Sequence, residues 1–178
     1  MIPIILDTCA IVSLKNFSKL IEKIETPLYI TPSVLEELKT FETKIPDHVL
    51  ARLRVKSPCR ENVRVSGALL WEMVCEFRKR ADNSIKYACG IVREAYSQTP
   101  QPRVKGAPDG CVELINRLRD GMRHHTREGY IDSGVDVDSL LLSLELKGKI
   151  CTCDAGLLFW AGRLGVEVLS PDLLQYAK

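Results

Sequence analysis

Two kinds of apolar spacing alternate along this chain. Short unbroken runs predict buried strands, and runs repeating every three or four residues predict helices. The first run, Ile2-Pro3-Ile4-Ile5-Leu6, ends on Asp7-Thr8 and predicts a central parallel strand with an acid at its carboxyl end. A helix over 11–15, which Asp7 would cap, and a helix over 17–24 lead to a second strand over 27–30. In Thr31-Pro32-Ser33-Val34-Leu35-Glu36-Glu37-Leu38-Lys39, Ser33 and Glu36 fit a capping box that opens a third helix. That leaves Glu37, about 100° further round, to face the ends of the strands. Pro46 and Asp47 open a short helix reaching Leu53, and Arg54-Val55-Lys56 continues towards Ser57-Pro58-Cys59-Arg60, which reads as a loop.

From Ser66 the pattern lengthens. Leu70, Val74, Phe77, Ala81, Ile85, Ala88, Val92 and Ala95 keep one stripe along a helix too long for a compact domain of this size. Breakers at Pro100, Pro102, Gly106, Pro108 and Gly110 precede a second helix marked by Val112, Ile115, Leu118 and Met122. The expected organisation is a domain in two parts, 1–65 and 130–178, with an inserted αα-hairpin over 66–129. Two helices alone bury little, so the stripe residues Leu70, Val74, Phe77, Ile85 and Val92 are expected to meet a partner subunit.

After the insertion comes Ile131-Asp132-Ser133-Gly134-Val135-Asp136-Val137-Asp138, three carboxylates ahead of a helix expected over 139–146 and ended by Gly148. Lys149-Ile150-Cys151-Thr152-Cys153 predicts a strand stopping at Asp154, then a helix over 157–164 stopped by Gly165, and Val166-Glu167-Val168-Leu169 predicts a last strand. Strands alternating with helices give an α/β class, a parallel sheet sandwiched by helices.

Composition changes this picture little. The 178 residues carry a net charge of +2, so any basic surface must be local. It falls on the hairpin: Arg78, Lys79 and Arg80 on the first helix, and Arg117, Arg119, Arg123 and Arg127 on the second, with His124 and His125 between them. Such a run is either a solvated face or a row of RNA phosphate contacts. Seven cysteines without a CxxC pair or a signal peptide fit reduced thiols in a cytoplasmic protein. Cys151 and Cys153, alternate residues of a strand, are both expected in the core. No apolar run is long enough for a transmembrane helix, so no membrane partner is expected.

Chemistry enters through the acids. Two unscreened carboxylates about 4 Å apart repel by roughly 4 kcal/mol at an effective dielectric of 20, so a cluster must be solvated, protonated or neutralised by a cation. Counted from Asp132, a calcium loop would need Gly and Glu where Val137 and Ser143 stand, which excludes it. If the sheet is parallel, Asp7 and Asp154 end strands on one edge, and Glu37 with Asp132, Asp136 and Asp138 enters from helix starts on that edge. An all-oxygen set of this kind suits Mg²⁺ or Mn²⁺ and phosphodiester hydrolysis. Asp136 and Asp138 stand two apart, and one of them is open to being only a cap. No GxGxxG or P-loop pattern competes.

Ile4-Ile5-Leu6-Asp7-Thr8, Pro32 to Leu38, Asp138-Ser139-Leu140-Leu141-Leu142 and Thr152-Cys153-Asp154 resemble the four acidic motifs of PIN-domain ribonucleases. Val55-Lys56-Ser57-Pro58, Arg127-Glu128-Gly129-Tyr130-Ile131-Asp132-Ser133, Asp136-Val137-Asp138, and Asp154-Ala155-Gly156 with Trp160-Ala161 resemble more narrowly the minimal protein-only RNase P family, HARP (homologs of Aquifex RNase P). The resemblance covers nearly the whole chain. It implies Mg²⁺-dependent removal of the 5′ leader from precursor tRNA, leaving a 5′ phosphate, with no RNA subunit. It also implies a hairpin that pairs subunits into a larger homo-oligomer. For catalysis the family pattern picks Asp7, Asp132, Asp136 and Asp154, and the general PIN pattern picks Asp138 from the cluster. Metal ligands are expected among Asp7, Asp136, Asp138 and Asp154. RNA contacts are expected from Arg78, Arg80, Arg117, Arg119, Arg123 and Arg127. The chain departs from the pattern at Cys9, where a small hydroxyl residue is usual, which puts a hydrogen bond to the first acid in question.

Three other readings compete. A toxin-type PIN ribonuclease shares the acids but lacks a long inserted hairpin. A non-catalytic RNA-binding scaffold or RNA ligase partner is opposed by an acid at every motif position. A domain whose acids are all helix caps is opposed by the four motifs together.

Overall fold

The computed structural model describes residues 1–14, 17–40, 45–97, 109–127, 131 and 133–176, apart from the side chains of 96, 97, 109–111, 126 and 127. The chain divides into two compact units, Met1–Val65 with Gly129–Lys178, and Ser66–Glu128.

In the first unit, among the described residues, five strands form one parallel sheet: β1 (Ile4–Leu6), β2 (Leu28–Ile30), β3 (Arg54–Val55), β4 (Lys149–Cys151) and β5 (Val168–Leu169), in the order β3-β2-β1-β4-β5. The helices are α1 (Thr8–Ser13), α2 (Phe17–Ile21), α3 (Pro32–Thr40), α4 (Asp47–Leu50), α7 (Gly134–Leu146) and α8 (Ala155–Leu164), with a 3₁₀ turn over Pro171–Tyr176. The second unit holds α5 (Gly67–Ser97) and α6 (Asp109–Arg127). Among the described residues no helix is long and apolar enough to cross a membrane.

β1 is central because it can be buried on both faces: Ile4, Ile5 and Leu6 are all inaccessible to solvent. Leu6 stands opposite Cys151 in the parallel register with β4, so the next residues, Asp7 and Thr152, emerge side by side at the carboxyl edge. The chain first builds outward from β1 through β2 to β3, then crosses to β4 on the other side. The gap between β1 and β4 is therefore the switch point of the sheet, where ligands of open α/β folds bind.

Several expectations change. Thr31, not Ser33, caps α3: its hydroxyl accepts the Val34 N–H at 3.2 Å, Pro32 takes the first helical position, and the proposed capping box is absent. Glu36 instead pairs with Lys39 within the same helix. Arg54 and Val55, for which the sequence pattern predicts no element, form the edge strand β3, two exposed residues too short to show a period. α1 starts directly after Asp7 rather than at Ile11. α7 starts at Gly134 rather than Ser139 because Ser133 caps it, accepting the Asp136 N–H at 3.1 Å. α7 ends on Lys147, whose φ of 50° is left-handed. Gly148 is needed for a different reason, since a Cβ there would lie 2.7 Å from the Pro3 carbonyl oxygen where β4 enters beside β1. Cys151 is core, but strand pairing stops there and Cys153 is exposed.

Candidate active site

Among the described residues of the first unit, Asp7 is the buried charge, 5 % exposed. Unpaired, such a carboxylate costs several kcal/mol; here, among the described residues, three donors converge on it. Oδ1 accepts the Thr8 N–H at 2.8 Å and so caps α1, while Oδ2 accepts the Thr152 hydroxyl at 2.9 Å and the Cys9 thiol at 3.0 Å. Asp7 thus caps α1 with one oxygen and takes two side-chain donors with the other, so capping does not use up the carboxylate. Cys9 makes the hydrogen bond that its replacement of a hydroxyl residue had put in question. Burial first, and then the bond to Asp7, raise the Cys9 thiol well above its ordinary value, so it stays a protonated donor. Behind it, burial and the charge of Asp7 push Cys151 up to about 12.

Two threonines connect Asp7 to other acids. The Thr8 hydroxyl donates to Glu37 Oε2 at 2.5 Å, bringing α3 to the start of α1. Thr152 accepts the Asp154 N–H at 3.0 Å while donating to Asp7. Asp154 in turn caps α8, its Oδ1 accepting the Leu157 N–H at 2.8 Å. Asp7, Glu37 and Asp154 therefore belong to one hydrogen-bonded system at the carboxyl edge. Thr8 and Thr152 were missed as site residues, although a hydroxyl beside an acid at two strand ends was a visible signal.

The fourth segment is α7, which packs against β1, β4, α3 and α8. Since Ser133 is the cap, neither Asp136 nor Asp138 serves as one. Two residues apart in a helix, they project about 200° apart, to opposite sides of the buried stripe. Asp138 faces Arg60, whose guanidinium donates to Oδ1 at 2.8 Å and is raised by that bond. Two helical turns further on, Glu145 takes the Lys56 ammonium at 2.6 Å and the Cys59 N–H at 2.7 Å, which hold it below the usual carboxylate range. These bonds tie the chain after β3 along α7. Arg60 had no sequence signal, because its partner lies 78 positions away. Asp132 lies outside the described residues.

As a donor set for an ion, the residues are carboxylate oxygens, and Asp7 keeps a lone pair on Oδ1 beyond the one that takes Thr8. That suits a hard divalent cation. Among the described residues, however, no group of three or more His, Cys, Asp or Glu is close enough to hold one; Asp7, Glu37 and Asp154 are joined through hydroxyls. A cleft of about 520 Å³ lined by Ile2, Ile4, Thr26, Lys149 and Tyr176 opens at the amino ends of β1 and β4, the edge opposite Asp7.

In the second unit α5 and α6 pack antiparallel, as the pairs Glu94–Arg117 and Tyr87 against Gly121 show. The Tyr87 ring fills the space that a side chain at 121 would need, its hydroxyl donates to the Arg117 carbonyl, and His125 meets the ring edge-on. Ser84 and Ile91 are buried on this inner face. The stripe Leu70, Val74, Phe77, Ile85 and Val92 lies on another face and is exposed, Phe77 at 63 % and Ile85 at 61 %. Of the arginines expected to hold RNA, Arg80 is bound to Glu76 at 3.0 Å and Arg117 grips Glu94 with both arms of its fork, so these two are structural within the hairpin. Arg78, Arg119 and Arg123 are exposed. The Arg127 side chain lies outside the described residues.

Residues 5–177 match the family described as PINc domain ribonuclease. The chain is 32 % identical over 163 residues to the RNA-free ribonuclease P of Thermodesulfovibrio yellowstonii, an alignment spanning 90 % of this chain and 78 % of the relative. It is 36 % identical over 156 residues to that of Aeropyrum pernix, spanning 84 % and 69 %. With that of Pyrococcus furiosus it shares 28 % over 157 residues, spanning 87 % and 74 %.

Proposed function

The chain belongs to the RNA-free ribonuclease P family of PINc-domain ribonucleases, and from that premise we propose that it removes the 5′ leader of precursor tRNA at the carboxyl edge of its sheet, with no RNA subunit. The observation that carries the proposal is the buried Asp7 at the β1–β4 switch point, held in its orientation by Thr8, Cys9 and Thr152.

Asp7, with Asp154 and one acid of α7 drawn in beside it, would hold Mg²⁺ or Mn²⁺; as they stand the three are not close enough to chelate an ion. Of the α7 acids we assign Asp136 to the ion and Asp138 to Arg60, since the two project to opposite sides and the side of Asp138 is the one that meets Arg60. Asp132 joins this set on sequence grounds. When bound, such an ion supplies positive charge for the phosphate oxygens and makes water a nucleophile near neutral pH. The protein's own part is to fix the ligands. Thr152 sets Asp7 and Asp154 relative to each other through a single hydroxyl, and Thr8 holds Glu37 beside them. Donors fixed before substrate arrives need no reorganisation during the reaction.

The hairpin's role is holding. Arg78, Arg119, Arg123 and Arg127 contact tRNA phosphates, and the exposed apolar stripe joins copies of the chain into a homo-oligomer. Complete burial of each such side chain would contribute about 1.5–3 kcal/mol. The free thiols among the described residues support a reducing, cytoplasmic setting.

Incubation of the purified protein with a leader-bearing precursor tRNA and Mg²⁺, without added RNA, tests this. A single cut at the mature 5′ end leaving a 5′ phosphate, abolished by chelator and restored by Mg²⁺ or Mn²⁺, is the expected result. No product, or a cut elsewhere in the tRNA, refutes it.

A further inference from the structure

We propose that Cys9 and Cys153 form an oxidisable thiol pair beside Asp7, a modification site through which a hydroperoxide shuts the nuclease off. Cys9 Sγ lies 3.0 Å from the Cys153 backbone nitrogen, whose N–H it accepts. The Cys153 Cα is only about 1.5 Å beyond that nitrogen, so a turn of the Cys153 side chain brings its sulfur to Cys9 without moving the backbone far. Cys153 is exposed just past the end of β4, and Cys9 is half-buried behind it. One thiol is thus reachable by an oxidant in solution, and the other stands beside it as the resolving thiol, reacting slowly because burial and Asp7 hold it protonated. Cys151, fully buried two residues away, is protected.

The chemistry balances as follows. A hydroperoxide, hydrogen peroxide in the simplest case, oxidises the Cys153 thiol to a sulfenic acid and is reduced to water. The Cys9 sulfur then attacks the Cys153 sulfur. The S–S bond forms as the S–O bond breaks, and the departing hydroxide takes the proton given up by Cys9 and leaves as a second water. The bridge removes the S–H that Cys9 donates to Asp7 Oδ2 at 3.0 Å, leaving Asp7 one donor short. The loss of cutting rests on the reading of Asp7 as catalytic, whereas formation of the bridge does not.

The full chain is treated with hydrogen peroxide, alkylated and digested, and the same sample is assayed on precursor tRNA. A Cys9–Cys153 linked peptide is expected, with cleavage reduced at least about tenfold and restored by dithiothreitol. Cys153→Ala should cut at the untreated rate and resist peroxide. Absence of the linked peptide, or equal peroxide sensitivity of Cys153→Ala, overturns the proposal. A bridged protein that cuts at the reduced protein's rate overturns the shut-off. If the reduced protein does not cut precursor tRNA at all, the functional reading fails, and the peptide map still decides the bridge.

Discussion

Thr152→Val isolates the connection on which the site depends. The change keeps the shape of a side chain that is 2 % exposed and removes its hydroxyl, which donates to Asp7 Oδ2 at 2.9 Å and accepts the Asp154 N–H at 3.0 Å. A hydrogen bond to a charged group contributes about 1.5–3 kcal/mol, and a buried carboxylate left one donor short carries its desolvation cost as well, so the loss is about 2–3 kcal/mol. Against a total stability of about 5–15 kcal/mol this is readily measured by urea unfolding. With Asp7 and Asp154 no longer set by one hydroxyl, single-turnover cleavage of precursor tRNA should fall about 10–100-fold while tRNA affinity holds. Thr152→Ser should recover most of both. If Thr152→Val unfolds with wild-type urea dependence and cuts at the wild-type rate, the hydroxyl is not the connector described here.

Other consequences are equally open to measurement. Glu145→Gln should cost about 1 kcal/mol near neutral pH. Because the folded pKa of Glu145 is lowered by Lys56 and the Cys59 N–H, its contribution is complete above the unfolded value of about 4.3 and is lost as pH falls through the folded value, so wild type and variant should converge in acid. Gly148→Ala forces a Cβ to within 2.7 Å of the Pro3 carbonyl and should lower stability by about 1–3 kcal/mol in thermal melts. Replacing Phe77 and Ile85 with Asp should lower the mass found by light scattering; an unchanged mass would exclude the stripe as an interface. Arg119→Ala should reduce the salt slope of tRNA binding by about one, whereas Arg117→Ala, which removes the fork that grips Glu94, should destabilise the hairpin and leave that slope nearly unchanged.

The parts of the fold legible from sequence were those fixed by local patterns. The unbroken run Ile4-Ile5-Leu6 marked a strand buried on both faces, and an acid after it marked the carboxyl edge. The three-and-four spacing from Leu70 to Ala95 marked a helix too long for the sheet domain. The features misread were decided by competition between neighbours or by distance. Ser33 and Thr31 are both competent caps, and Pro32 decided for Thr31 by taking the first helical position. Ser133 outcompeted the aspartates after it, moving the start of α7 back and separating Asp136 from Asp138 around the helix. Cys153 left the core because strand pairing ended two residues earlier. Arg60 and Asp138 meet only once α7 lies beside β3's exit, and no local pattern encodes that pairing. Cys9 looked like a defect in the motif, yet its thiol performs the expected donation.

The central claim is that Asp7, held by Thr8, Cys9 and Thr152, is where the chain cuts. Asp7→Asn keeps the size of the side chain and removes its charge. Single-turnover cleavage of precursor tRNA by this variant, with tRNA affinity measured on the same sample as the control for folding, tests the claim directly. The account predicts unchanged affinity and a loss of cleavage exceeding about 100-fold. Cleavage at the wild-type rate, at the same position, would contradict it.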